Sequence, residues 1–367
     1  MCAFSKDLKF LMTISERLMF EMIIFFKIVF LLVLLAGLVA FNAFWGELVV
    51  GKLTNLRTDR FNAGKIINTG IRNILKMFNK STADNFFNDL FLLYFLTVVI
   101  IAPVVVLPVM APFSFWGQLN YGEVLYSKDG LLLFIVLMAM HPLYYLVLSI
   151  GQRDNVAKLS SYRIYKQLLT TELPLLVSLL SVFLAFGTFD LHKIIQLQNE
   201  YTIGGLPAIG CLIQPIAFLS VIFVVLSKDH SSAYSVIELE KEWIGGIDKG
   251  RDLFFILVLR FFNNVHIVIG AMLITAIFLG GYGPIFYTGH LDKIGIVSSQ
   301  HYIPIIQVSI FLLKTSAVLF IINFAKVIIP KHSNFFLMSI SWNRFFIIGL
   351  LNLITTVIFI KQGYFKW

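Results

Sequence analysis

Charge is scarce in this 367-residue chain: Asp, Glu, Lys and Arg together make up 13% of it. Chains that stay disordered or sit freely in water carry more charge than this. Cysteine is nearly absent, with only Cys2 and Cys211, so no disulfide framework and no cysteine-based metal site is expected. The phosphate loop, the nucleophile elbow and any paired Cys–His set are also missing. No metal ligation and no cofactor held by this chain are therefore expected, and nothing suggests a nucleic-acid partner. Internal repeats are not evident, which counts against an inverted-repeat transporter. What the chain has in excess is apolar sequence. Hydrophobic residues make up 58%, phenylalanine alone supplies 37, and the mean hydropathy is +0.86. A β-barrel would alternate apolar and polar residues every second position, whereas these runs are unbroken. The expected fold is an all-α, polytopic membrane protein.

About 20 apolar residues are needed to cross the hydrocarbon core as a helix. Eight stretches qualify: roughly 23–45, 87–111, 131–150, 168–188, 204–226, 252–281, 303–325 and 344–362. The connections then alternate in charge. Loops 46–86, 151–167, 227–251 and 326–344 hold eighteen lysines and arginines, against three in loops 112–130, 189–203 and 282–302. Basic loops stay on the inner side, so both termini are expected to face outward. Residues 1–22 read as an N-terminal extension rather than a cleaved signal, with Met19 or Met22 as alternative starts, and 23–367 as one membrane domain. Within loop 46–86, Ile67, Ile71, Ile74, Leu75 and Phe78 recur at helical spacing, with Lys65, Arg72, Lys76 and Lys80 on other faces. This is the pattern of a short amphipathic helix lying on the membrane surface.

Ionisable groups at membrane depth are costly and need a reason. Glu172 in "QLLTTELPLL" lies about a turn inside the fourth span, two residues before Pro174, which weakens the local backbone ladder. It is read as a carboxylate that carries a proton; the alternatives are a carboxylate that snorkels at the helix entrance or one hydrogen-bonded to a neighbouring helix. Lys314 in "FLLKTSAVLF" needs a carboxylate or a water-filled path. Arg260, Asn263 and Asn264 read as glue between helices. His141 and His266 stand alone and read as interhelical hydrogen-bonding residues. The densest cluster is "SVIELEKEWIGGIDKG", where Glu238, Glu240 and Glu242 fall at every second position. Three close carboxylates repel, which favours retention of a proton by one of them and suits a relay. A solvated acidic loop is the alternative.

Taken in order, these pieces resemble subunit 1 of respiratory complex I, the H subunit of the bacterial enzyme, and its paralogues in membrane-bound hydrogenases and formate hydrogenlyase. The resemblance covers nearly the whole chain from about residue 45. It is carried by Arg57 and Gly64 in "LRTDRFNAGKI", by Lys76 and Lys80 in "NILKMFNKS", and by Arg163, Gln167 and Glu172 in "YRIYKQLLTTELPLLVSLL". Glu238, Glu240, Glu242 and Gly246 in "IELEKEWIGG" continue it, as do "FLGGYGP" at 278–284, Lys314-Thr315, Lys326, Pro330, Lys331, Met338 and Trp342. The chain departs from the family pattern at Asn263, Ser231, Ser235, Ser333 and Phe335, where charged residues are usual.

The resemblance implies a membrane subunit of a proton-translocating NADH:quinone oxidoreductase that frames the ubiquinone or menaquinone site. Glu172, Glu238, Glu240, Glu242 and Lys314 would relay protons. Arg57, Lys76, Lys80 and Arg163 would lie at the quinone entrance or docking face. Quinone would be the substrate, with FMN and Fe–S clusters in partner subunits. Those partners would be Fe–S and quinone-module subunits and antiporter-like membrane subunits, in a bacterial or mitochondrial inner membrane. The alternatives are a group 4 hydrogenase-type membrane subunit, a stand-alone ion-coupled transporter, and a purely structural anchor.

Overall fold

The structure, a computed structural model, describes residues 33–46, 129–150, 155–200, 202–203, 206–207, 209–228, 253–283, 303–328 and 334–362. The expected span 87–111, the surface helix 64–80 and the N-terminal extension lie outside the described residues. The first helix, α1, is Val33–Gly46. It is followed by α2 (Gly130–Ile150), α3 (Asn155–Phe186) and α4 (Leu191–Glu200). A small antiparallel hairpin, β1 (Thr202–Ile203) and β2 (Leu206–Pro207), precedes α5 (Gly210–Ile213) and α6 (Pro215–Lys228). The remaining helices are α7 (Leu253–Phe278), α8 (Ile303–Ile328), α9 (Asn334–Ile340) and α10 (Ile347–Lys361). A π-helical segment, Ser341–Phe346, joins α9 to α10.

Among the described residues, four stretches are long and apolar enough to cross a membrane: Leu168–Phe186, Phe261–Phe278, Val308–Lys326 and Met338–Lys361. They match the expected fourth, sixth, seventh and eighth spans. The expected fifth span, 204–226, is not one helix. Pro215 lacks an N–H and biases the residue before it away from helical backbone, and Gln214 sits at φ −131°, ψ 61°. The chain therefore breaks between α5 and α6. The expected connectors 151–167 and 189–203 are largely helical, extending α3 at its start and forming α4.

The core follows from which faces are apolar. Helix α3 packs against α2, α6 and α10, and α7 packs against α8, α6, α2 and α4. Leu175, Leu179 and Val182 of α3 are buried, as are Val221, Val224 and Val225 of α6 and almost every residue of α7 from Phe262 to Phe278. Gly270 lets α7 approach Val225, whose methyl carbons would lie only 2.9 and 3.0 Å from a Cβ placed there. Helix α10 instead leaves Ile347, Leu351, Ile354 and Ile358 exposed, an apolar face suited to lipid. Three amides tie α1 into the bundle. Asn323 of α8 donates to Asn42 Oδ1 at 2.9 Å, and Asn42 donates to Asn264 Oδ1 of α7 at 3.3 Å. Such contacts suit a setting where apolar burial alone gives helices little reason to associate.

The connections define two ends. Helices α2 and α8 run toward one end, the near rim, where α3 and α7 begin, and α6 stops short of it at Lys228, which lies beside Glu172, about 25 Å along α3 from its first residue. At the far rim α3 terminates with Gly187, whose φ of +68° and N–H bond to Phe183 O (2.7 Å) make a left-handed helix cap. Asp190 then caps α4 by accepting the His192 N–H at 2.9 Å.

Candidate functional site

On the near side of the bundle, inside the apolar part of α3, helices α2, α3 and α6 meet around one ion pair. Glu172 lies in the first turns of the apolar part of α3, and Lys228 is the last residue of α6. Lys228 Nζ lies 2.5 Å from Glu172 Oε1 and also donates to the Met138 carbonyl of α2 at 2.9 Å. Lys228 is 4% exposed and Glu172 9%, so each is withdrawn from water. A lone charge there would be strongly unfavourable; paired, the two present zero net charge to their surroundings. The loop charge count takes Lys228 as one more basic loop residue, and the structure corrects that placement. Its depth was the available signal: it ends the fifth apolar run at the level where Glu172 begins the fourth.

Beside the pair, two helical irregularities compensate each other. Pro174 has no N–H, so the Thr170 carbonyl four residues earlier loses its ladder partner. The Ser341 hydroxyl donates to Thr170 O at 2.6 Å. Ser341 is the first residue of the π-helical segment, so the widened turn is set against α3 just where Pro174 interrupts its backbone ladder. π-Helical turns are rare and tend to occur where function requires an irregular backbone. Replacing Ser341 by alanine removes this bond and is expected to destabilise the chain by about 1 kcal/mol, read as a lower melting temperature of the detergent-solubilised protein. An unchanged transition would show that the bond contributes nothing.

From Pro174 a buried polar chain continues along α3 toward the far rim. Ser178 donates to Pro174 O (2.7 Å) and Ser181 to Ser178 O (2.7 Å). Asn352 of α10 donates to Ser181 Oγ (3.1 Å) and to Gln214 Oε1 (2.5 Å), and Gln214 donates to Thr356 Oγ1 (2.8 Å). The break at Gln214 is what turns its side chain into this role. None of these uncharged residues stands out in the sequence, because single amides and hydroxyls in apolar runs carry no spacing signature.

Lys314 occupies a different place. Its ammonium donates to three backbone carbonyls at the far rim: Leu279 (2.6 Å), Gly281 (3.1 Å) and Gly283 (2.7 Å). The turn that presents them follows α7 and needs glycine twice, with φ of +69° at Gly280 and +53° at Gly281. Gln198 of α4 braces it by donating to Ile277 O (2.8 Å) while its own oxygen accepts the Gly210 N–H (3.0 Å). Among the described residues, Lys314 meets a tripod of carbonyls at the end of a helix, where the backbone dipoles already carry partial negative charge.

Of the sequence candidates, Glu172 and Lys314 are both buried, but they belong to separate clusters, and Glu172 pairs with Lys228. Arg163 lies on α3, nine residues before Glu172 and so about 13 Å along the axis. Glu238, Glu240, Glu242, Arg57, Lys76 and Lys80 lie outside the described residues. Asn263 and His266 are buried in α7. Among the described residues, no three His, Cys, Asp or Glu side chains gather closely enough to hold a metal ion.

Comparison with known proteins matches the family model described as NADH dehydrogenase to residues 22–357. The chain is 24% identical over 263 residues to the H subunit of NADH-quinone oxidoreductase from Geobacillus sp. (strain WCH70), covering 71% of this chain and 72% of that protein. It is 24% identical over 274 residues to the protein of the same name from Anoxybacillus flavithermus, covering 72% and 74%. Among solved structures, a chain of the membrane-bound sulfane sulfur reductase (MBS), an archaeal respiratory membrane complex, superposes with a TM-score of 0.68. That match covers 90% of this chain and 99% of the other at 15% identity, and it is a likeness of fold.

Proposed function

The chain belongs to the NADH dehydrogenase family, the subunit 1 or H-type membrane proteins of complex I, and from this premise we propose that it is the membrane subunit that couples quinone reduction to proton translocation. In this reading it has eight spans with both termini outward, in a bacterial or mitochondrial inner membrane. It joins Fe–S and quinone-module subunits to antiporter-like membrane subunits. FMN and Fe–S clusters belong to those partners, and quinone is a substrate. The basic face with Arg57, Lys76, Lys80 and Arg163 frames the quinone entrance or docks the redox arm. The loop glutamates Glu238, Glu240 and Glu242 receive the charge change that accompanies reduction. Glu172 carries its effect into the membrane, and Lys314 braces the far end.

The observation that best supports this reading is the buried Glu172–Lys228 pair. It lies at the end of α6, ten residues ahead of Glu238 in the chain. A change of charge nearby acts strongly on such a pair, because the surrounding dielectric is low. A purely structural bundle would gain nothing by burying two opposite charges where apolar residues would serve as well or better.

The test is gentle purification of the chain from its native membrane, with identification of the accompanying polypeptides and assay of quinone reduction. Fe–S redox subunits, antiporter-like subunits and NADH-dependent quinone reduction are the expected result. A chain that purifies alone, or a nickel-containing large subunit beside it, would sink the proposal. The fold likeness to the sulfane sulfur reductase chain supports a second reading, a related assembly that passes electrons to an acceptor other than quinone. Redox partners without quinone reductase activity would select it.

A further inference from the structure

The ion pair supports a narrower statement about how charge crosses the near side of the bundle, and it rests on the reading just given. We infer that Lys228 is a positioning residue that fixes the Glu172 carboxylate in a buried ion pair, so that charge is passed on here by displacement of that pair.

The geometry carries the inference. A carboxyl group alone among apolar helices takes up a proton, since burial disfavours the charged form. Glu172 is not alone. Lys228 Nζ touches its Oε1 and, on the other side, the Met138 carbonyl. Among the described residues, protonating Glu172 would leave the buried ammonium with that carbonyl as its remaining partner, the costly arrangement of an uncompensated charge. The geometry therefore ties the two charges together as one pair. What remains mobile is the distance between them. Lys228 is the helix terminus of α6, a long side chain on the last turn, whereas Glu172 is set mid-helix in α3 between Thr171 and Pro174. Motion of the pair thus belongs to the Lys228 side, which is also the side that continues toward the loop glutamates. The substrate of this device is an electric charge: an anion appearing near Lys228 draws the ammonium away and leaves Glu172 exposed to the neighbouring helices.

The inference separates two outcomes in the native complex carrying E172Q, K228M, K228R and the exchanged pair E172K/K228E. Each neutralising single substitution is expected to lower assembled complex at least about tenfold, because each strands one buried charge. The exchanged pair should recover assembly to within about twofold of the parent. K228R should keep both assembly and ion translocation per electron. Infrared difference spectra on reduction should show a shift of an ionised carboxylate band that is lost in the exchanged pair, which moves the carboxylate to another helix. A protonated-carboxyl band that disappears in E172Q would overturn the inference. So would an exchanged pair that accumulates no better than the singles, or a K228M complex that pumps normally while K228R does not. These outcomes are distinct from failure of the functional reading itself. If no redox partner accompanies the chain, accumulation of the single and exchanged variants in the membrane still decides whether the pair is fixed.

Discussion

Replacing Lys314 by methionine should destabilise the chain by about 3–5 kcal/mol, comparable to removing one member of a buried charged cluster. Methionine keeps most of the stem's volume, so the packing of α8 changes little. What disappears is the ammonium that satisfies the carbonyls of Leu279, Gly281 and Gly283 together. Each buried acceptor left without a donor costs about 1–3 kcal/mol, and three of them face the same vacated point. They also repel one another, since all three dipoles converge there. Arginine is not a conservative replacement: a planar fork cannot donate into a tripod that accepts a compact point charge, so Lys314→Arg should lose most of the same stability. The measurement is thermal unfolding of the detergent-solubilised assembly, with the Lys314→Met and Lys314→Arg proteins compared at equal detergent. A methionine variant that melts with the parent would show that the tripod contributes little. Because the cluster holds the end of α7 to α8 and α4, its loss should be felt at the far rim before it is felt at Glu172.

How much of this was legible in the sequence depends on what kind of signal each part leaves. Long apolar runs leave a strong one, and the helices α3, α7, α8 and α10 fall where hydropathy places them. The fifth span failed because hydropathy averages over punctuation. Pro207, Gly210 and Pro215 lie inside an otherwise apolar run, which is divided into a short strand, a short helix and a second helix. Read as backbone chemistry and not as hydropathy, Pro215 marks the break at Gln214. Helix α4 falls in a stretch expected to be a connector, although Leu191, Ile194, Ile195 and Gln198 recur at helical spacing. These residues are the buried face of that helix.

Charged residues were easier to notice than to pair. Glu172 and Lys314 stand out against apolar neighbours, and both are buried. Their partners lay beyond reach for different reasons. The partner of Glu172 is the terminal residue of a helix packed against it, and pairing across helices requires the packing to be known. The partners of Lys314 are main-chain atoms. Every residue has a carbonyl, so the tripod exists only because Gly280 and Gly281 adopt left-handed conformations, a property of the folded backbone. "FLGGYGP" was visible as a motif; its meaning as a cradle for an ammonium was not. The amides Gln198, Gln214 and Asn352 carried the least information of all, yet they connect α3, α4, α5, α7 and α10.

Substituting Gly210 by alanine is the second change expected to have a large effect. A Cβ at this position would sit 2.3 Å from the Ile277 carbonyl oxygen and 3.1 Å from the Phe278 Cα. Both are backbone atoms, so no side chain can rotate aside. Either α5 or the end of α7 must move. Gln198 makes that movement costly, because its amide joins the same two elements, donating to Ile277 O and accepting from Gly210 N. Separating them lengthens both bonds at once and shifts the turn that presents carbonyls to Lys314. Overpacking alone costs about 1–3 kcal/mol, and each bond lost adds about 1 kcal/mol. The expected total is therefore about 3–5 kcal/mol, enough to reduce the folded chain in the membrane severely, since native stabilities are themselves only about 5–15 kcal/mol. The double variant Gly210→Ala with Gln198→Ala tests the mechanism. If the two residues act through one contact, the second substitution should add much less than Gln198→Ala costs alone. Full additivity of the two losses, measured as accumulated protein and as melting temperature, would mean that the close approach of α5 and α7 and the Gln198 brace are independent, and the account of the far rim as one connected unit would be wrong.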